Sequence, residues 1–161
     1  MKTTCLPLLL IALAATAHVS ANDFNEKTVR YTLGDTRFEG TVTWEAEADE
    51  ALPGILMVPN WMGPTEASLK KARKVAEMGF VVMMVDMYGA EVRPQNASEA
   101  SQAAGAVRAD RALMRERAQE ALKQFRMVKD IPLDAGQIAA IGFCFGGGTV
   151  LELARSGADV D

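Results

Sequence analysis

The sequence has 161 residues, 49% hydrophobic and 24% charged, which suits one globular domain and argues against an intrinsically disordered chain. Its formal net charge is −4 and no basic cluster runs along it, so neither nucleic acid nor an anionic membrane surface is expected as a partner.

Residues 1–21 read as a secretory leader. Lys2 supplies the positive start, Leu6 to Ala15 the apolar run, and Val19-Ser20-Ala21 the small residues for cleavage before Asn22. The apolar run is shorter than the ~20 residues a membrane span needs. Cys5 precedes that run, unlike a lipoprotein cysteine. The expectation is an exported protein, periplasmic or secreted, with no membrane association after cleavage. Cleavage would also remove Cys5 and His18, leaving Cys144 as the sole thiol and no imidazole. A lone thiol in an oxidising compartment is open to oxidation, so a task or a shield is expected for it.

Thr28 to Leu33 and Arg37 to Trp44 are short strand-type runs joined by Gly34-Asp35, a hairpin signal. The second run alternates, with Phe38, Gly40, Val42 and Trp44 on one face and Arg37, Glu39, Thr41 and Thr43 on a half-exposed face. Glu45 to Leu52 reads as an acidic loop. Gly54 to Val58 and Phe80 to Val85 are apolar on both faces, and Gln137 to Phe143 is nearly so. Such runs, separated by helical stretches, indicate a parallel sheet covered on both sides.

Pro64 or Thr65 opens the first helix, Glu66 sits in its first turn, Leu69, Ala72 and Ala76 form its inner stripe, and Gly79 follows its end. The second is expected from about Ser98 to Lys129, with Val107, Met114, Ala118, Ala121, Phe125 and Val128 recurring at helical spacing and Pro132 beyond. A last helix is expected from near Gly146 to before Gly157. The order predicts an α/β fold with a doubly wound, mostly parallel sheet.

The chemistry concentrates in Ile141-Gly142-Phe143-Cys144-Phe145-Gly146-Gly147-Gly148, between an apolar strand and a helix. It fits the G-x-S-x-G nucleophile elbow with cysteine in place of serine. The turn is sharp enough to strain the nucleophile's backbone, and only small side chains fit two residues to either side, where Gly142 and Gly146 stand. The positive end of the following helix dipole would face the sulfur and favour negative charge there. The glycine spacing fits neither a dinucleotide fingerprint nor a P-loop. No second cysteine lies at redox spacing, and one thiol without imidazole is a poor metal site, so no metal and no cofactor is expected. The competing reading of Cys144 is a small buried hydrophobe.

At this point the sequence resembles the dienelactone hydrolase family of α/β-hydrolases. The elbow, the strand running into Asp86-Met87-Tyr88, and Val58-Pro59-Asn60-Trp61-Met62-Gly63 carry the resemblance, which extends over about residues 28 to 157. It implies a Cys-Asp-His hydrolase that opens small esters or lactones through an acyl-enzyme. Cys144 would be the nucleophile, and the backbone N–H groups of Phe145 and Trp61 the oxyanion donors. Asn60 stands where the best-known members carry a glutamate that contacts the resting thiol, and it cannot take a proton as that glutamate does. Tyr88 is expected either to line the pocket or to pack. Arg93 is expected either to meet a substrate carboxylate or to lie solvated on the surface.

The sequence ends 17 residues after Cys144, and Asp159 and Asp161 lie too close to the elbow helix to be the family's aspartate. The expectation is therefore the N-terminal portion of such a hydrolase, truncated after the elbow helix, inactive as it stands, with the last apolar strand left as an open edge. The alternative is a non-catalytic exported binding or interaction module that keeps the sheet. A thiol-based peroxide scavenger is disfavoured by the lack of a resolving cysteine. Oligomeric state and the identity of the ester or lactone are not encoded in any motif.

Overall fold

The computed structural model describes residues 23–160. The expected leader, with Cys5 and His18, lies outside the described residues, as does Asp161. The strands are β1 (Phe24–Leu33), β2 (Thr36–Glu45), β3 (Leu52–Val58), β4 (Val81–Met84) and β5 (Leu133–Gly142). The helices are α1 (Glu66–Ala76), α2 (Ala97–Ala109), α3 (Arg111–Met127) and α4 (Phe145–Arg155).

β1 and β2 form the expected hairpin, paired from Phe24 opposite Glu45 to Leu33 opposite Thr36. Gly34 turns the chain with φ +57°, a conformation that favours glycine. The five strands form one sheet in the order β1-β2-β4-β3-β5. β2 meets β4 antiparallel, whereas β3 pairs in parallel with both β4 and β5.

The apolar runs of β3 and β4 are explained by cover on both faces. Ile55, Met57, Val82 and Met84 pack with Ala72 and Ala76 of α1 on one side. Leu56, Val58, Val81 and Met83 belong to the larger core on the other, with Val107 of α2, Met114, Ala118, Ala121 and Phe125 of α3, and Leu153 of α4. The chain moves from β3 to β4 over the first face. It then returns across β3 to β5 over the second, as a doubly wound sheet must if both crossovers have the same hand.

Three expectations need revision. The single helix from Ser98 to Lys129 is two helices, because Asp110 is extended (φ −121°, ψ 97°) and its side chain accepts from Leu113 N–H to cap α3. Thr43, assigned to a half-exposed face, is fully buried because α1 covers that end of β2. The loop read as Glu45 to Leu52 ends one residue earlier, since Leu52 already pairs with Leu133 of β5.

β5 pairs only with β3 and stands at the margin of the sheet in this chain. Of its residues only Ile138 is fully covered. Among the described residues no helix is long and apolar enough to cross a membrane.

Candidate active site

β3 and β5 are neighbours, with Val58 opposite Gly142, yet their outgoing chains leave in opposite directions. β3 feeds α1 on one face and β5 feeds α4 on the other. The two chains thus diverge at the carboxyl ends of neighbouring parallel strands, the position where α/β sheets build sites. Cys144 follows β5 at that end.

Only Phe143 and Cys144 separate β5 from α4. Cys144 is exposed and adopts φ 54°, ψ −108°, a strained backbone for a residue with a side chain. The glycines show why the bend needs them. A Cβ on Gly142 would lie 2.2 Å from the Gly146 carbonyl oxygen, and one on Gly146 would lie 2.1 Å from the Val58 oxygen. The elbow therefore rests backbone against backbone on the end of β3. Phe143 N–H donates to Val58 O at 3.1 Å and fixes the same junction.

The loop after β3 is a closed turn. Asn60 Oδ1 accepts from Met62 N–H at 3.0 Å, and its carbonyl accepts from Gly63 N–H at 2.9 Å. Asn60 thus organises the loop through an Asx turn, the ordinary use of asparagine there. Gly63 takes φ +75°, and Ser68 Oγ donates to its carbonyl at 3.2 Å. Thr65 caps α1 by accepting from Ser68 N–H. Among the described residues, the backbone N–H groups of Trp61 and Phe145 make no hydrogen bond. For Phe145 this follows from its place in the first helical turn, where amides have no intrahelical acceptor.

Tyr88 links the two segments. It is buried, its hydroxyl donates to Trp61 O at 2.8 Å, and its ring lies 5.5 Å from that of Phe145. Burial, opposed by Arg108 and assisted by the charges of Asp86 and Cys144, pushes the Tyr88 phenol up to about 12, so the phenol stays a neutral donor. Asp86, wholly buried, sets the Tyr88 backbone. Oδ1 accepts from the N–H groups of Tyr88 and Gly89 at 2.9 and 3.0 Å.

Arg93 is half-buried and its polar partners lie within the protein. Nη2 lies 3.0 Å from Asp86 Oδ2, and Nη1 donates to Gly89 O at 2.6 Å and Val92 O at 3.0 Å. Its half-buried guanidinium pairs with a buried carboxylate. Cys144, the elbow glycines, Phe145, Trp61, Asn60 and Tyr88 thus form one neighbourhood, and Arg93 supports it from behind.

Two further residues were missed by sequence reasoning. Arg108 lies over the Phe145 ring at 5.3 Å, and Arg117 donates to Met87 O at 2.8 Å, tying α3 to the segment before Tyr88. Their partners lie on other segments of the chain, so no local motif signalled them.

The model of the dienelactone hydrolase family matches residues 38–161. The chain belongs to the dienelactone hydrolase family. A solved structure described as m3DLH is 34% identical with a TM-score of 0.76, over 85% of this chain and 56% of that one. A dienelactone hydrolase-like promiscuous phosphotriesterase, P91, from metagenomic libraries is 36% identical with a TM-score of 0.77, over the same shares, 85% and 56%. The chain therefore spans little more than half the length of these family members. The dienelactone hydrolase from Anabaena variabilis, 19% identical with a TM-score of 0.62 over 86% of this chain and 61% of that one, shares the fold. No curated protein matches the chain.

Proposed function

We propose that this chain carries the nucleophile and oxyanion-hole half of a cysteine hydrolase acting on small carboxylic esters or lactones. The reading rests on one observation: an exposed Cys144 held at φ 54° at the mouth of a helix, beside unpaired amides of Phe145 and of the β3 loop. Sγ attacks the carbonyl carbon and forms the C–S bond. The carbonyl π pair moves to oxygen, where the N–H groups of Trp61 and Phe145 receive the charge. Collapse of that oxyanion breaks the C–O bond and leaves a thioester on Cys144, and the departing alkoxide takes up through solvent the proton that the thiol gave up on attack. One preorganised donor of this kind contributes about 2.7–4 kcal/mol.

Hydrolysis of the thioester needs a general base. No imidazole lies among the described residues, so acylation is the step these residues account for. The leader-like segment 1–21 supports export as part of this reading.

The direct test is incubation with an activated ester such as p-nitrophenyl acetate, followed by intact mass and peptide mapping. One acetyl group on Cys144, absent from Cys144→Ala, is expected. An unmodified Cys144 after prolonged exposure to excess ester would refute the reading and favour a non-catalytic module on the same sheet.

A further inference from the structure

The Tyr88 hydroxyl is placed unlike that of a residue that merely fills space. Its ring packs between the two segments that carry the proposed donors, 5.5 Å from Phe145 on one side. On the other, a Cβ at Gly63 would come within 3.2 Å of the ring, so the β3 loop wraps it closely. A phenylalanine would fill that space equally. The hydroxyl adds one hydrogen bond, to the carbonyl of Trp61 at 2.8 Å.

That carbonyl belongs to the Trp61–Met62 peptide, whose other end, Met62 N–H, is bound by Asn60 Oδ1 at 3.0 Å. Both ends of one peptide plane are therefore held. The preceding plane, which carries the free Trp61 N–H, is held at its carbonyl by Gly63 N–H at 2.9 Å. In a trans peptide the N–H lies opposite the carbonyl, so fixing Asn60 O fixes the direction of the Trp61 N–H. Without the tyrosine hydroxyl the Trp61–Met62 plane keeps only its Asn60 contact, so one of the three hydrogen bonds that hold these two planes is lost and the aim of the Trp61 N–H is held less tightly.

We propose that Tyr88 is a positioning residue: its hydroxyl locks the β3 loop so that the Trp61 amide stays aimed at the developing oxyanion. The inference rests on the reading of Cys144 as an acyl-accepting nucleophile, and its test separates the two.

Two reactions of the same sulfur are compared in the wild-type protein and in Tyr88→Phe. Acylation by p-nitrophenyl acetate forms the C–S bond, passes through an oxyanion and releases p-nitrophenolate. Alkylation by iodoacetamide forms the C–S bond as iodide leaves, with no oxyanion. The expected result is a roughly tenfold slower acylation in Tyr88→Phe, less than the ~100-fold or greater loss on removing a donor outright. Alkylation is expected to stay within about twofold, since the thiol and its helix are untouched. Equal acylation rates overturn the positioning role. A parallel fall in both reactions, or a variant that no longer folds, assigns Tyr88 to packing and also overturns it. Absence of acylation in the wild-type protein, with normal alkylation, overturns the nucleophile reading itself.

Discussion

Adding a single methyl group at Gly146 tests whether the elbow is held by backbone contact. In Gly146→Ala the new Cβ would lie 2.1 Å from Val58 O and 2.6 Å from Pro59 O. Neither oxygen belongs to a side chain that can rotate away, so relief requires moving the start of α4 off the end of β3 by roughly 1 Å. Overpacking costs about 1–3 kcal/mol, and a clash between two hydrogen-bonded backbones belongs at the upper end, about 3 kcal/mol. For a domain of this size that lowers Tm by about 10 °C. Gly148→Ala is the control, because a Cβ there meets nothing within 4 Å and the position is inside α4. It is expected to be neutral or to stabilise by up to about 1 kcal/mol. Melting curves of both variants by circular dichroism, with the acylation rate of Cys144 alongside, give the comparison. If Gly146→Ala melts with Gly148→Ala and acylates normally, the elbow does not rest on β3 in this way.

Three further outcomes are expected. Cys144→Gly should raise stability by about 1 kcal/mol in urea titrations, because φ 54° strains any residue with a Cβ, while acylation disappears. Arg93→Ala should cost about 2 kcal/mol in the same assay, since it leaves the buried Asp86 carboxylate without its cation; a neutral result would show that backbone donors alone satisfy it. Glu152 accepts from Arg115 at 2.6 and 2.8 Å and from Arg155 at 2.9 Å, and the Arg115 hydrogen bonds, opposed by burial, hold its carboxyl below the ordinary 4.5. A carboxyl lowered by folding stabilises above its unfolded pKa and ceases to do so as pH falls through the folded value. The stability difference between wild type and Glu152→Gln should therefore be constant above about pH 5 and narrow below pH 4.5; a pH-independent difference would remove that linkage.

Much of the site was legible because its constraints are local. The elbow is encoded in a few consecutive residues, and Gly142 and Gly146 are glycine because the bend brings backbones within touching distance. The hairpin, the Thr65 cap and the apolar runs of β3 and β4 are local in the same sense, as turn chemistry and burial on two faces are written in adjacent positions. Asp110 was legible in principle, as a capping residue inside a helical pattern, and the long apolar periodicity on either side concealed it.

Sequence by itself determined the α/β plan of a sheet covered on both faces and the presentation of one thiol at a strand-to-helix bend, since both follow from periodicity and steric demand along the chain. Tertiary structure alone decided that Arg93 serves Asp86, that Tyr88 holds Trp61, and that Arg108 lies over Phe145. Those are pairings between groups on different segments, chosen by which strands lie side by side and which loops leave in opposite directions. An arginine or a tyrosine reads the same in sequence whether its partner is solvent, substrate or a buried carboxylate. Only the folded neighbourhood, where an unpaired polar group is costly, selects among them.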